Sequence, residues 1–133
     1  MNTNVISLEE TRRMVNPAKA AIQEKILNKG TALGERLISH FKILKEEFPI
    51  IGDVRGLGPM TCLELVKDRK TKEPAPEDAK AITDYCFKNG LILLACGCYG
   101  NVLRFMMPLV TPDEQVDRGM KILKQAFASL LNS

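Results

Sequence analysis

A single positive charge interrupts the most apolar stretch of this chain. Leu91–Val110 reads LILLACGCYGNVLRFMMPLV, and its one residue charged at neutral pH is Arg104, set between Leu103 and Phe105. A guanidinium never loses its charge in a protein and is expensive to bury alone, so it needs an anionic partner or a route to water. Its planar fork suits a carboxylate, which it can hold through two parallel hydrogen bonds. Two readings follow from the residues. Arg104 either bonds a loop carbonyl or local carboxylate on a partly wet sheet face, or it receives an anion from outside.

The remaining reactive side chains offer less. Cysteines stand at positions 62, 86, 96 and 98, and the sole histidine is His40. Cys96-x-Cys98 lacks a second Cys/His pair at zinc-site spacing, so no metal site is expected and the thiols read as reduced and packed. Nucleophilic catalysis by cysteine has no evident base, because His40 lies far upstream in a helical segment.

The elements that must position Arg104 show in the hydrophobic pattern. The 133 residues make one domain's worth of chain, with 45% hydrophobic and 26% charged residues, an ordinary globular composition. Residues 1–16 read as a short helix or loose N-terminal arm. From Pro17 to about Phe48, Ile22, Ile26, Leu33, Leu37, Phe41, Leu44 and Phe48 recur at helical spacing, predicting one long helix with a single buried face. Gly30 and Gly34 weaken that helix and point to a local irregularity or a close contact there, and Pro49 stops it. Two strands, Ile50–Arg55 and Thr61–Val66, then flank the turn-forming Gly56-Leu57-Gly58-Pro59. A charged loop, Lys67–Pro76, leads into a helix with Pro76 in its first turn and Asn89-Gly90 as its stop; Ala79, Ile82 and Cys86 form its apolar stripe.

Strands Leu91–Ala95 and Val102–Met107 are separated by the turn Cys96–Asn101. A last helix opens at Thr111-Pro112-Asp113-Glu114, read as an N-cap, a proline at N1 and a capping-box acid at N3, with Val116, Met120, Leu123, Phe127 and Leu130 facing inward. The order α-β-β-α-β-β-α predicts an α+β fold: a mostly antiparallel sheet of about four strands with helices on one face. Alternation places Leu103, Phe105 and Met107 under the helices and turns Val102, Arg104 and Met106 to the other side. That second face is apolar apart from the arginine, which marks it as a domain interface or a site.

Charge narrows the partners. Net charge is +3, and Lys67, Arg69, Lys70 and Lys72 alternate with Asp68 and Glu73 without interleaved aromatics, which argues against nucleic acid. No apolar run approaches the ~20 residues of a membrane helix, and the N-terminus lacks a signal-peptide core, so a cytoplasmic location is expected.

These segments carry a family resemblance. Ile51-Gly-Asp-Val-Arg-Gly-Leu-Gly58, Met60 and Glu64-Leu-Val-Lys-Asp68 resemble the small-domain hairpin of class III aminotransferases, fold-type I enzymes that use pyridoxal phosphate. Asn89-Gly-Leu-Ile-Leu-Leu-Ala-Cys96-Gly97, Tyr99-Gly-Asn-Val-Leu-Arg-Phe105, Pro108-Leu109 and Thr111–Gly119 resemble the C-terminal pattern of the same family, most closely its 4-aminobutyrate aminotransferases.

The resemblance implies that residues 17–133 form the family's C-terminal small domain and that Arg104 receives a substrate carboxylate. It implies further that Cys96, Gly97, Gly100 and Asn101 shape the approach to it, while Cys98 has no role. The parent reaction would move an amino group from an ω-amino acid to a 2-oxo acid. The family's large domain, with its Schiff-base lysine and cofactor cradle, has no counterpart among these residues. Asp113-Glu114-Gln115-Val116 is read as helix capping rather than as the acidic cofactor motif it superficially matches. The chain alone is therefore expected neither to hold pyridoxal phosphate nor to catalyse transfer. Its expected partners are a large domain or a trans-encoded counterpart, a carboxylate-bearing amino acid, and a second copy of itself. An amino-acid 2-epimerase relative, or a non-enzymatic metabolite- or protein-binding module, remains the alternative.

Overall fold

The computed structural model describes residues 7–131. Its elements run α1 (Leu8–Glu47), β1 (Ile51–Leu57), β2 (Met60–Leu65), α2 (Pro76–Lys88), β3 (Leu94–Cys96), β4 (Val102–Phe105) and α3 (Asp113–Leu130). The strands form one antiparallel sheet in the order β1-β2-β4-β3. This is the α+β architecture expected, long N-terminal helix included.

Helix α1 begins earlier than its periodicity suggests. Ser7 caps it, accepting from the Glu10 amide at 3.1 Å, and the Glu10 carboxylate accepts from the Ser7 amide at 2.9 Å. This reciprocal box satisfies two otherwise orphaned donors. The helix then runs through Pro17 instead of starting there. A proline removes one intrahelical hydrogen bond, but this stretch is exposed throughout, so water can take the freed carbonyl. Ile22 and Ile26, expected on the buried face, are 60% and 40% exposed. Forty residues of helix reach about 60 Å, well beyond a sheet whose strands have three to seven residues. Burial of α1 starts at Gly30 and continues through Leu33, Leu37, Phe41 and Leu44.

Close contact explains the second glycine of α1. A Cβ on Gly34 would stand 2.0 Å from the carbonyl oxygen of Gly58 in the β1–β2 turn. That turn comprises Gly58 and Pro59, since Leu57 pairs with Met60, and Gly58 takes φ +55°. A positive φ at the first turn residue suits a tight hairpin and is open to glycine. Without a side chain at Gly34, the hairpin tip can rest directly on α1.

Some of the other boundaries shift by a few residues. Helix α2 ends as expected at Asn89-Gly90: the Leu91 amide donates to the Cys86 carbonyl and the Gly90 amide to Phe87, with Gly90 at φ +89°. This closure occupies Leu91, and β3 begins at Leu94 rather than Leu91. Strand β4 stops at Phe105, short of Met107. At α3 the expected cap is not formed. Thr111 Oγ1 donates to the Pro108 carbonyl at 2.6 Å, the N-cap is Pro112, and no side chain bonds the first turn. Asp113 and Glu114 still place negative charge at the helix start.

The three helices cover one face of the sheet. Phe41 and Phe105 meet with ring centroids 4.6 Å apart, and Phe48 stacks on Phe127 at 5.3 Å. Leu63 and Leu103 complete the sheet side of this core, fully buried. The loop after β2 is tied down by Arg69, which donates to the carbonyls of Lys45 and Phe48 at the end of α1 and of Ile51 at the start of β1.

Candidate functional site on the open sheet face

Register determines which side chains share the face away from the helices. Arg55 of β1 pairs with Cys62 of β2, Cys62 with Arg104 of β4, and Arg104 with Leu94 of β3. The neighbouring row is Asp53, Glu64, Val102 and Cys96. Directly paired residues lie on the same side of a sheet, so one surface carries both arginines, both carboxylates and two of the four thiols. The alternation inferred for β4 holds: Leu103 and Phe105 are buried, whereas Arg104 and Met106 are exposed.

The two arginines are in different electrostatic states. One nitrogen of Arg55, Nη1, lies 2.6 Å from Asp53 Oδ2 and 2.6 Å from Glu64 Oε2. These contacts hold the Asp53 carboxyl below its ordinary range and raise the Arg55 guanidinium further above neutrality. The Arg104 side chain makes no hydrogen bond or ion pair among the described residues, and the residue is exposed. Of the two sequence readings, bonding to a local carboxylate is therefore not what the structure adopts. The free guanidinium has the route to water that its charge requires.

Two hollows border Arg104. One, of about 420 Å³, is lined on the open face by Arg55, Met60, Cys62, Cys96 and Val102. The other, of about 500 Å³, runs past Leu94 and Met106 to Val116 and Met120 of α3 and is largely apolar. Burial pushes the Cys62 thiol up, away from thiolate character. Cys86 is buried in the core, its thiol pushed up to about 11.

The expected approach residues separate into two groups. Cys96 shares the open face and a hollow with Arg104. Gly97 and Gly100 form the turn between β3 and β4 at φ +86° and +66°, and a Cβ on Gly97 would press on Val102 at 3.0 Å. Asn101 is buried at 2% exposure; its Nδ2 donates to the Leu65 carbonyl at 2.7 Å, and its own carbonyl accepts from the Leu65 amide at 2.8 Å. It thereby locks the start of β4 to the end of β2 and holds the register that sets Arg104 opposite Cys62. Sequence reading did not identify the Asp53–Arg55–Glu64 cluster. The signal was available: once Gly58-Pro59 is taken as a two-residue turn, residues 55 and 62, and 53 and 64, must face each other.

This fold has close counterparts among known proteins. The family model "Aminotransferase class-III" matches residues 14–127. The chain belongs to the class III aminotransferase family. It is 43% identical over 108 residues to the 5-aminovalerate aminotransferase DavT of Pseudomonas aeruginosa, covering 81% of this chain and 25% of that protein. It is 41% identical over 105 residues to the 4-aminobutyrate aminotransferase GabT of Escherichia coli, covering 79% and 25%. A crystal structure of a Bacillus anthracis aminotransferase superposes with a TM-score of 0.76 at 28% identity, covering 86% of this chain and 27% of that one. The chain thus spans about a quarter of the length of the curated relatives it matches. No described helix is long and apolar enough to cross a membrane.

Proposed function

We propose that this chain is the small domain of a pyridoxal-phosphate-dependent aminotransferase acting on ω-amino acids, and that Arg104 receives the substrate carboxylate. The observation that carries the reading is the state of Arg104: a guanidinium in the centre of a sheet, bordered by two hollows and paired with nothing among the described residues. The relatives' names, 4-aminobutyrate and 5-aminovalerate aminotransferase, supply the substrate class, an amino group separated by a short chain from a carboxylate.

The cofactor itself finds no fit in these residues. No lysine lines either hollow, so this face offers no amine for a Schiff base, and pyridoxal phosphate would be held elsewhere in the enzyme. The chain's part is then to bind and orient. Two parallel hydrogen bonds from Arg104 fix one end of the substrate, and a fixed end restricts where the amine can lie. Cys96, Gly97 and Gly100 would bound the approach, while Asn101 holds the strand that carries the arginine. Alone, the chain is expected to be inactive in amino transfer.

The test is carboxylate selectivity in a full-length enzyme carrying this domain. 4-Aminobutyrate should be preferred over butylamine, and Arg104→Ala should erase most of that preference. A loss of about 10- to 100-fold in kcat/KM for the carboxylate substrate is expected from removing a charged hydrogen-bonding partner. Cofactor absorbance should stay unchanged. A variant with unaltered selectivity would refute the role.

A further inference from the structure

Glu64 sits on the strand between two arginines. It is displaced by two residues from Cys62, which directly faces both Arg55 on β1 and Arg104 on β4. By register Glu64 is therefore a diagonal neighbour of each. Such neighbours lie roughly 7–8 Å apart, their Cβ atoms somewhat closer, within reach of long side chains. Two positions for the carboxylate are thus comparable in distance, yet only one is taken. Glu64 lies on Arg55 at 2.6 Å, and Arg104 is left bare.

We propose that Arg55 is a positioning residue that sequesters Glu64, together with Asp53, and so keeps Arg104 free to accept a substrate carboxylate. Two carboxylates converge on one Arg55 nitrogen, an arrangement that collapses if the cation between them is removed. Glu64 would then be repelled by Asp53 and drawn to the nearest uncompensated charge, which is Arg104. The carboxylate site would be filled from within. The inference rests on the reading of Arg104 as a carboxylate receptor, but its test does not require catalysis.

The test uses the 133-residue chain and phenylglyoxal, which modifies unencumbered guanidinium groups, with site-resolved mass spectrometry as the readout. In the wild type, Arg104 should react faster than Arg55. In Arg55→Gln, modification of Arg104 should slow about two- to fivefold, the range set by a partly exposed ion pair. Glu64→Gln alone should leave the Arg104 rate at its wild-type value, because that carboxylate is already engaged. The double variant R55Q/E64Q should restore the wild-type rate, a rescue that a merely structural strut would not give.

An unchanged Arg104 rate in R55Q, or a slow one in the double variant, would overturn the proposal. So would a wild-type Arg104 no more reactive than Arg55, a comparison that depends on no variant folding. Loss of carboxylate selectivity in Arg104→Ala is a separate measurement. Its failure would remove the substrate assignment and leave this reactivity pattern standing.

Discussion

Replacing Gly34 by alanine tests how the fold holds the open face in place. The added Cβ would lie 2.0 Å from the Gly58 carbonyl oxygen and 2.4 Å from its carbon. Ordinary carbon–oxygen contacts begin near ~3.3 Å, so helix and hairpin must part by more than about 1 Å. Neither partner yields easily: one is a helix interior and the other the backbone of a two-residue turn. Overpacking of this kind costs about 1–3 kcal/mol, and alanine's better helix propensity returns up to about 1 kcal/mol. The net expectation is a loss of about 1–2 kcal/mol, or about 3–10 °C in Tm for a domain of this size. Gly30→Ala is the control. Its Cβ would meet the flexible end of Leu109 at 3.4 Å, so the same propensity gain should leave stability unchanged or raised by up to about 1 kcal/mol. Thermal and urea unfolding followed by circular dichroism read both variants. A Gly34→Ala protein as stable as wild type, or one that moves in the same direction as Gly30→Ala, would refute the close approach of α1 and the hairpin.

Two further outcomes follow from the site's surroundings. Asn101→Ala should lower stability by about 1–3 kcal/mol in urea unfolding, because a buried donor to Leu65 is lost; a neutral effect would contradict its part in fixing the β2–β4 register. Acid should also weaken the fold with a defined sign. Asp53, beside Arg55, and Asp117, hydrogen-bonded to Arg36, both titrate below their usual 3.8. Their stabilising contribution is therefore fully present above that value and is lost as pH falls through the lowered ones. Unfolding measured from pH 7 down to about pH 2.5 should steepen below about 4, and Asp117→Asn should flatten the slope; an identical slope in the variant would contradict the assignment.

Much of the architecture was legible in the hydrophobic pattern, because one-sided burial imposes a period. The order of elements, the stripe Ala79, Ile82 and Cys86, and the outward turn of Arg104 all follow from it. The pattern misled where burial was not what set the structure. In α1, Ile22 and Ile26 keep the helical period but lie beyond the sheet, and a capping box at Ser7 carries the helix past Pro17. At α3, the Thr111 hydroxyl found a nearer acceptor in the Pro108 carbonyl, which no spacing rule anticipates. The site was half legible. A charge in an apolar strand stands out, whereas Asp53, Arg55 and Glu64 look like ordinary surface charges until register brings them together.

The central claim concerns what Arg104 holds, and a crystal structure of the pyridoxal-phosphate-loaded enzyme with a bound carboxylate substrate analogue tests it most directly. Both carboxylate oxygens should lie about 2.7–2.9 Å from the Arg104 guanidinium nitrogens, with Glu64 still on Arg55. A carboxylate bound elsewhere, with Arg104 left in solvent or paired to a protein side chain, would contradict it.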